Sequence, residues 1–105
     1  MNDKFLSLLG LAKKAGKVSS GHDASFGSIQ KGKAKICFLT TDASQRLKDE
    51  FIKTTRYDNR QIKCTEIPYT QKEINFATGI RAAVLTINDE GFAKKLIELL
   101  TFRED

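Results

Sequence analysis

Apolar side chains recur at helical spacing from the start of the chain. Phe5, Leu6, Leu8, Leu9, Leu11 and Ala12 form a stripe, Lys4, Lys13 and Lys14 fall on the wet side, and Gly16 supplies the stop. A short stretch, Lys17-Val18-Ser19-Ser20, follows. Ser20 with Asp23 three residues on has the form of a capping box and predicts a second helix that Gly32 closes. Lys35 to Thr41 reads as a buried strand, and Asp42 or Ser44 then caps a third helix through Phe51. Gln61 to Ile67 alternates like a strand. Thr70-Gln71-Lys72-Glu73 is a second capping-box pattern, for a short helix ending by Gly79. Ala82 to Ile87 is a further apolar, β-rich run. Asn88-Asp89-Glu90 places cap residues and negative charge at the start of a last helix, with Leu96, Ile97, Leu99 and Leu100 as its buried face. Helices alternating with short strands predict an α/β protein, a three-layer α-β-α sandwich around a small sheet.

No linker, low-complexity tract or internal repeat interrupts these elements, so residues 1–105 form one domain with a single core. Apolar runs such as Ile36-Cys37-Phe38-Leu39 are far too short to cross a membrane, and no secretory pattern opens the chain; the expectation is a cytoplasmic protein with no membrane contact. Cys37 and Cys64 fall inside the strand-like runs and read as reduced, packed thiols. With His22 the single histidine, the chain offers no tetrahedral zinc set and no nucleophile–base constellation, so neither metal, cofactor nor catalysis is expected.

Charge changes the picture. The net +5 lies wholly in the first third: residues 1–35 hold seven lysines against Asp3 and Asp23, whereas the other 70 residues hold eleven basic and eleven acidic side chains. Segregation of the whole excess favours an anionic partner, nucleic acid first. Gly27 to Lys33 spell G-x-x-x-x-G-K, the skeleton of a phosphate-binding loop. Such a loop needs a strand before it and a helix after it; here Gly27 lies in a helix, Gly32 ends it and a strand begins at Lys35. Ala34 stands where a magnesium-binding hydroxyl would be. Nucleotide hydrolysis is therefore the weakest reading. What remains is a helix C-terminus carrying Lys31, Lys33 and Lys35. They either complement the helix dipole or, with Lys17, meet a nucleic-acid backbone.

Ala15-Gly16-Lys17-Val18-Ser19-Ser20-Gly21, then Gly32-Lys33-Ala34-Lys35, Asp42-Ala43-Ser44, Ala77-Thr78-Gly79 and Asn88 through Lys95 together resemble one known family. It is the kink-turn RNA-binding family typified by archaeal ribosomal protein L-seven-Ae, and the likeness is greatest to its small bacterial YlxQ-like branch. The resemblance implies a mixed sheet in the sandwich and a non-catalytic protein of the translation apparatus. It implies structured RNA, ribosomal RNA above all, as partner of a monomer, with ribosomal or translation-factor proteins as further partners. It places the turn Ser20-Gly21-His22-Asp23 and the following helix against sheared base pairs, and Gly79, Ile80 and Arg81 over bases splayed out at a bend. Narrow A-form major grooves make such a distorted motif the natural target. Where the archaeal members carry Asn, Glu and Lys, this chain has Asp23, Ala24 and Gly27. Asp accepts where an amide also donates, so weaker kink-turn binding than with the full set is expected.

Each of these residues also has a purely structural reading. Asp23 completes a Ser20 cap, Gly21 and Gly79 supply backbone turns, His22 is a surface histidine and Arg81 is a sheet-edge charge. A protein–protein adaptor whose basic third docks an acidic partner is the rival from another class, because one fold serves both purposes.

Overall fold

The computed structural model describes residues 3–56 and 62–101. Five helices alternate with four strands: α1 (Lys4–Lys14), β1 (Val18–Ser20), α2 (His22–Gln30), β2 (Ile36–Leu39), α3 (Gln45–Arg56), β3 (Lys63–Glu66), α4 (Gln71–Thr78), β4 (Val84–Ile87) and α5 (Glu90–Thr101). The sheet runs β1-β4-β2-β3, with β2 and β3 parallel and the other pairs antiparallel, so it is mixed.

Period-two alternation explains the layers. Ile36 and Phe38 of β2, with Leu85 and Ile87 of β4, face Phe5 and Leu9 of α1, Ile74 of α4 and Leu96 of α5. Cys37 and Leu39, with Val84, face the other way onto Ile29 of α2 and Phe51 of α3. Both strands are buried along their whole length because each face has its own helices. Side chains such as Phe38, Phe51 and Leu96 are fully enclosed, each contributing roughly 1.5–3 kcal/mol by leaving water.

Local signals are realised where the chain needs no distant partner. Thr70 and Glu73 form the reciprocal capping box of α4, and Gly79 closes that helix in the left-handed conformation at φ 80°. Ser44, rather than Asp42, caps α3 by accepting the Leu47 N–H at 3.1 Å. Asp42 instead accepts the Gln71 N–H at 3.0 Å and ties the start of α4 to the β2–α3 turn. Helix α3 continues past Phe51 to Arg56, its buried Thr55 hydroxyl donating to the Phe51 carbonyl at 3.0 Å. Asp89 caps α5 by accepting the Phe92 N–H at 2.9 Å. Gln61, the expected start of the third strand, lies outside the described residues.

The expected Ser20–Asp23 box does not form. Ser20 is the last residue of β1, opposite Leu85, so its backbone belongs to the sheet and α2 begins one residue later, after Gly21.

Candidate functional site

Register places the loops. At one end of the sheet Ser20, Leu85, Leu39 and Glu66 lie level or nearly so, and at the other end Val18, Ile87, Ile36 and Lys63 do. The connections β1–α2, β2–α3 and α4–β4 all meet the first end.

At that end Gly21 donates its N–H to the Val84 carbonyl at 2.9 Å and turns the chain into α2 at φ 93°, ψ 167°, a region L-residues rarely adopt. No side chain caps the helix, so the first-turn N–H groups and the positive pole of its dipole are left open. Asp23 stands exposed in this first turn. His22 is committed to α3: its Nε2 lies 2.7 Å from Glu50 Oε2, its Nδ1 lies 3.3 Å from Asp23 Oδ1, and its ring meets the Phe51 ring edge-on at 5.3 Å. The hydrogen bond to Glu50, then that to Asp23, raise the imidazole pKa above its ordinary 6.5. Histidine here fastens the turn to the neighbouring helix.

From the middle of the sheet toward its other end runs a polar network that sequence reasoning missed. Thr86 Oγ1 donates to Asn88 Oδ1 at 3.0 Å, Asn88 Nδ2 donates to Ser19 Oγ at 2.9 Å, and Ser19 Oγ lies 2.6 Å from Ser28 Oγ. Ser25 Oγ adds a longer bond of 3.4 Å to the Ser19 carbonyl. These bonds fix α2 and β1, on either side of Gly21, to β4. The one legible signal is the pair Ser25 and Ser28 on the face of α2 that also carries buried Ile29; two buried hydroxyls on a core-facing stripe call for partners.

The Gly79–Ala83 segment enters β4 at the same end, where Ala83 accepts the Thr40 N–H at 2.9 Å. Ile80 is 2% exposed and turns into the core, anchoring the segment, while Gly79 and Arg81 stay at the surface. Lys13, 65 residues from Thr78, donates to its carbonyl at 3.2 Å, and a Cβ on Gly79 would sit 2.9 Å from the Lys13 Nζ. Lys13 is thus a neighbour of this loop that no local pattern identifies.

The predicted lysines are elsewhere. Lys17 accepts the Asn88 N–H at 2.7 Å, Lys35 donates to Ile87 at 2.8 Å and Lys33 donates to Ser28 at 2.9 Å, all through backbone atoms, while Lys31 is the C-cap of α2. All four stand at the second end of the sheet. The fold therefore brings Ser20, Gly21, His22 and Asp23 to the end where the Gly79–Arg81 segment leads into β4, and separates them from Lys17, Lys31, Lys33 and Lys35 by the length of α2, about 14 Å at 1.5 Å per residue. The G-x-x-x-x-G-K residues have the reverse of a phosphate loop: Gly27 is inside α2, Gly32 at φ 75° follows its end, and β2 comes next.

Among the described residues no group of three or more His, Cys, Asp or Glu side chains could hold a metal. Cys37 and Cys64 are paired in register across β2 and β3 and both are free thiols. Hydrogen bonding to Cys64 and burial push the Cys37 thiol pKa far up, so it is an inert core group.

Residues 3–97 match the Ribosomal protein L7Ae/L30e/S12e/Gadd45 family. The chain belongs to this family. It is 36% identical over 97 residues to the RNA-binding protein YlxQ of Enterococcus faecium, covering 92% of this chain and 91% of that one. It is 33% identical over 102 residues to the RNA-binding protein YlxQ of Bacillus subtilis, covering 92% and 95%. A solved protein of unknown function from Bacillus halodurans superposes with a TM-score of 0.85 at 27% identity, over 95% of this chain and 99% of that one. The Giardia lamblia 15.5kD RNA binding protein shares the fold, with a TM-score of 0.64 at 13% identity over 96% and 88%.

Set against the family pattern, the three departures lie on α2. Asp23 and Ala24 are exposed in its first turn, and a Cβ built on Gly27 meets nothing within 4 Å. The backbone has room for the Lys that the pattern carries there.

Proposed function

We propose that this protein is a non-catalytic RNA-binding protein of the cytoplasmic translation apparatus. Acting as a monomer, it binds a bent, kink-turn-like RNA at the sheet end bearing the Gly21 turn. The observation that carries the reading is the arrangement of this end. A helix N-terminus with no side-chain cap follows Gly21, and Gly21 is bonded to Val84, the first residue of the strand that the Gly79–Arg81 segment enters. The YlxQ relatives, named as RNA-binding proteins, support it from a second direction. Open N–H groups and the dipole suit phosphate and base-edge acceptors. Arg81 supplies a planar fork for phosphate or stacking on a splayed base. Ile80 holds that arm in place from the core, and the bond from Gly21 to Val84 holds the other.

Titration of labelled kink-turn stem-loop and straight duplex of equal length tests this. The wild type should prefer the bent RNA, and Arg81→Ala should weaken that binding roughly tenfold or more, the equivalent of a charge-assisted hydrogen bond of about 1.5–3 kcal/mol. The combined change Asp23→Asn, Ala24→Glu and Gly27→Lys should strengthen binding to the stem-loop and not to the duplex. Equal affinity for both RNAs, with no effect of Arg81→Ala, would refute the reading.

A further inference from the structure

The lysines carried away from the Gly21 turn are themselves gathered. Lys17 precedes β1, Lys35 precedes β2 and Lys63 opens β3, and the ladder holds them level: Val18 and Ile36 both lie opposite Ile87, and Ile36 lies opposite Lys63. In the order β1-β4-β2-β3 this row crosses three interstrand gaps, about 14 Å at ~4.8 Å each. Lys31 and Lys33, at the carbonyl end of α2, stand beside it. All five are exposed, and among the described residues their side chains enter no ion pair or hydrogen bond. One or two cations would satisfy the carbonyl pole of a helix; five, from three connections, exceed that. Of the nearby acids, Asp89 is occupied in capping α5 and Glu90 lies in its first turn.

The face of α2 between the two ends does not continue this charge. Helix α2 contains no Lys or Arg, exposes Asp23 and meets Glu50 of α3 through His22, so a phosphate backbone following α2 from one end to the other would pass carboxylates. A protein partner is the poorer match for the lysine end. Protein interfaces are anchored on buried aromatic or aliphatic groups, and among the described residues the exposed large hydrophobics, Leu11 and Phe76, sit on α1 and α4 instead. Charge without an apolar anchor suits a nucleic-acid backbone.

We infer that the lysine end is a second, sequence-independent RNA-backbone site, and that one molecule holds two RNA segments at opposite ends of its sheet. This rests on the RNA reading of the Gly21 end, and the test separates the two. A labelled single-stranded oligouridylate of about ten nucleotides, enough to span the row, is titrated against the free protein and against protein saturated with unlabelled kink-turn stem-loop. Expected is binding in both cases, weakening as salt rises. Lys33→Ala, Lys35→Ala and Lys63→Ala together should lower oligouridylate affinity at least tenfold. They should also flatten the slope of log K against log salt by about 2, at ~0.7 for each phosphate contact on a single strand. A charge-matched control, Lys4→Ala, Arg46→Ala and Lys72→Ala, should change neither. Displacement of the oligouridylate by the stem-loop, or equal losses in both triple variants, would overturn the second site. If the stem-loop fails to bind while the lysine variants still abolish oligouridylate binding, the kink-turn reading falls and the lysine site stands.

Discussion

Replacing Asn88 by Ala tests how strongly the part-buried polar network ties α2 and β1 to β4. The amide bridges two hydroxyls: it accepts from Thr86 Oγ1 at 3.0 Å and donates to Ser19 Oγ at 2.9 Å. Thr86 is 0% exposed, so without Asn88 its hydroxyl has neither acceptor nor water, a cost of about 1–3 kcal/mol. Ser19 keeps Ser28 as partner, and the loss on that side is nearer the ordinary net hydrogen bond of about 0.5–1.5 kcal/mol. Together Asn88→Ala should destabilise by about 2–4 kcal/mol, a large share of the 5–15 kcal/mol typical of a domain. Thr86→Val removes the orphaned hydroxyl itself and leaves only the half-buried Asn88 oxygen to find water, so alone it should cost less than about 1 kcal/mol. In the double variant nothing polar is stranded at position 86. The combined loss should fall short of the sum by about 1–2 kcal/mol. Urea unfolding of the four proteins at constant slope measures this directly. An Asn88→Ala loss below about 0.5 kcal/mol, or strict additivity across the cycle, would show that the bonds do not carry the load assigned to them.

Two further outcomes are expected. Gly79→Ala should destabilise by about 1–2 kcal/mol through its left-handed φ of 80°, with Gly79→Asn costing less; the Lys13 ammonium only has to swing aside, so Ala performing as well as Gly in thermal melts would contradict the strain argument. For His22, whose folded pKa is raised chiefly by Glu50, the charged pair stabilises fully below pH 6.5 and the gain fades as pH rises through the raised value. The deficit of His22→Gln should therefore be larger at pH 5 than at pH 9, and small, since both side chains are nearly half exposed. Glu50→Gln should reduce the pH dependence and leave the smaller part due to Asp23, and a deficit that grows with pH would reverse the assigned sign.

What the sequence determined by itself was whatever a few adjacent residues decide. Thr70 and Glu73 cap each other three residues apart, Gly79 takes a conformation other residues avoid, and apolar spacing marks α1, α5 and the central strands; none of these needs a distant partner. The alternation of elements then left few layouts other than the sandwich. Long-range pairing decided the rest. Val18-Ser19-Ser20 has too little pattern to read as a strand, and it becomes one because β4 offers it a ladder; that ladder in turn takes Ser20 away from its expected cap. His22 meets Glu50 across 28 residues and Asn88 meets Ser19 across 69, contacts that no local propensity encodes. The lysines show the difference most clearly. Along the chain they run on from the Gly21 turn as one basic tract, but a helix of nine residues carries each step about 1.5 Å along its axis, and the shared antiparallel pairing of β1 and β2 with β4 sets its two ends at opposite ends of the strands. Charge is a property of the residues; which charges share a surface is decided by where the backbone hydrogen bonds place the strand ends.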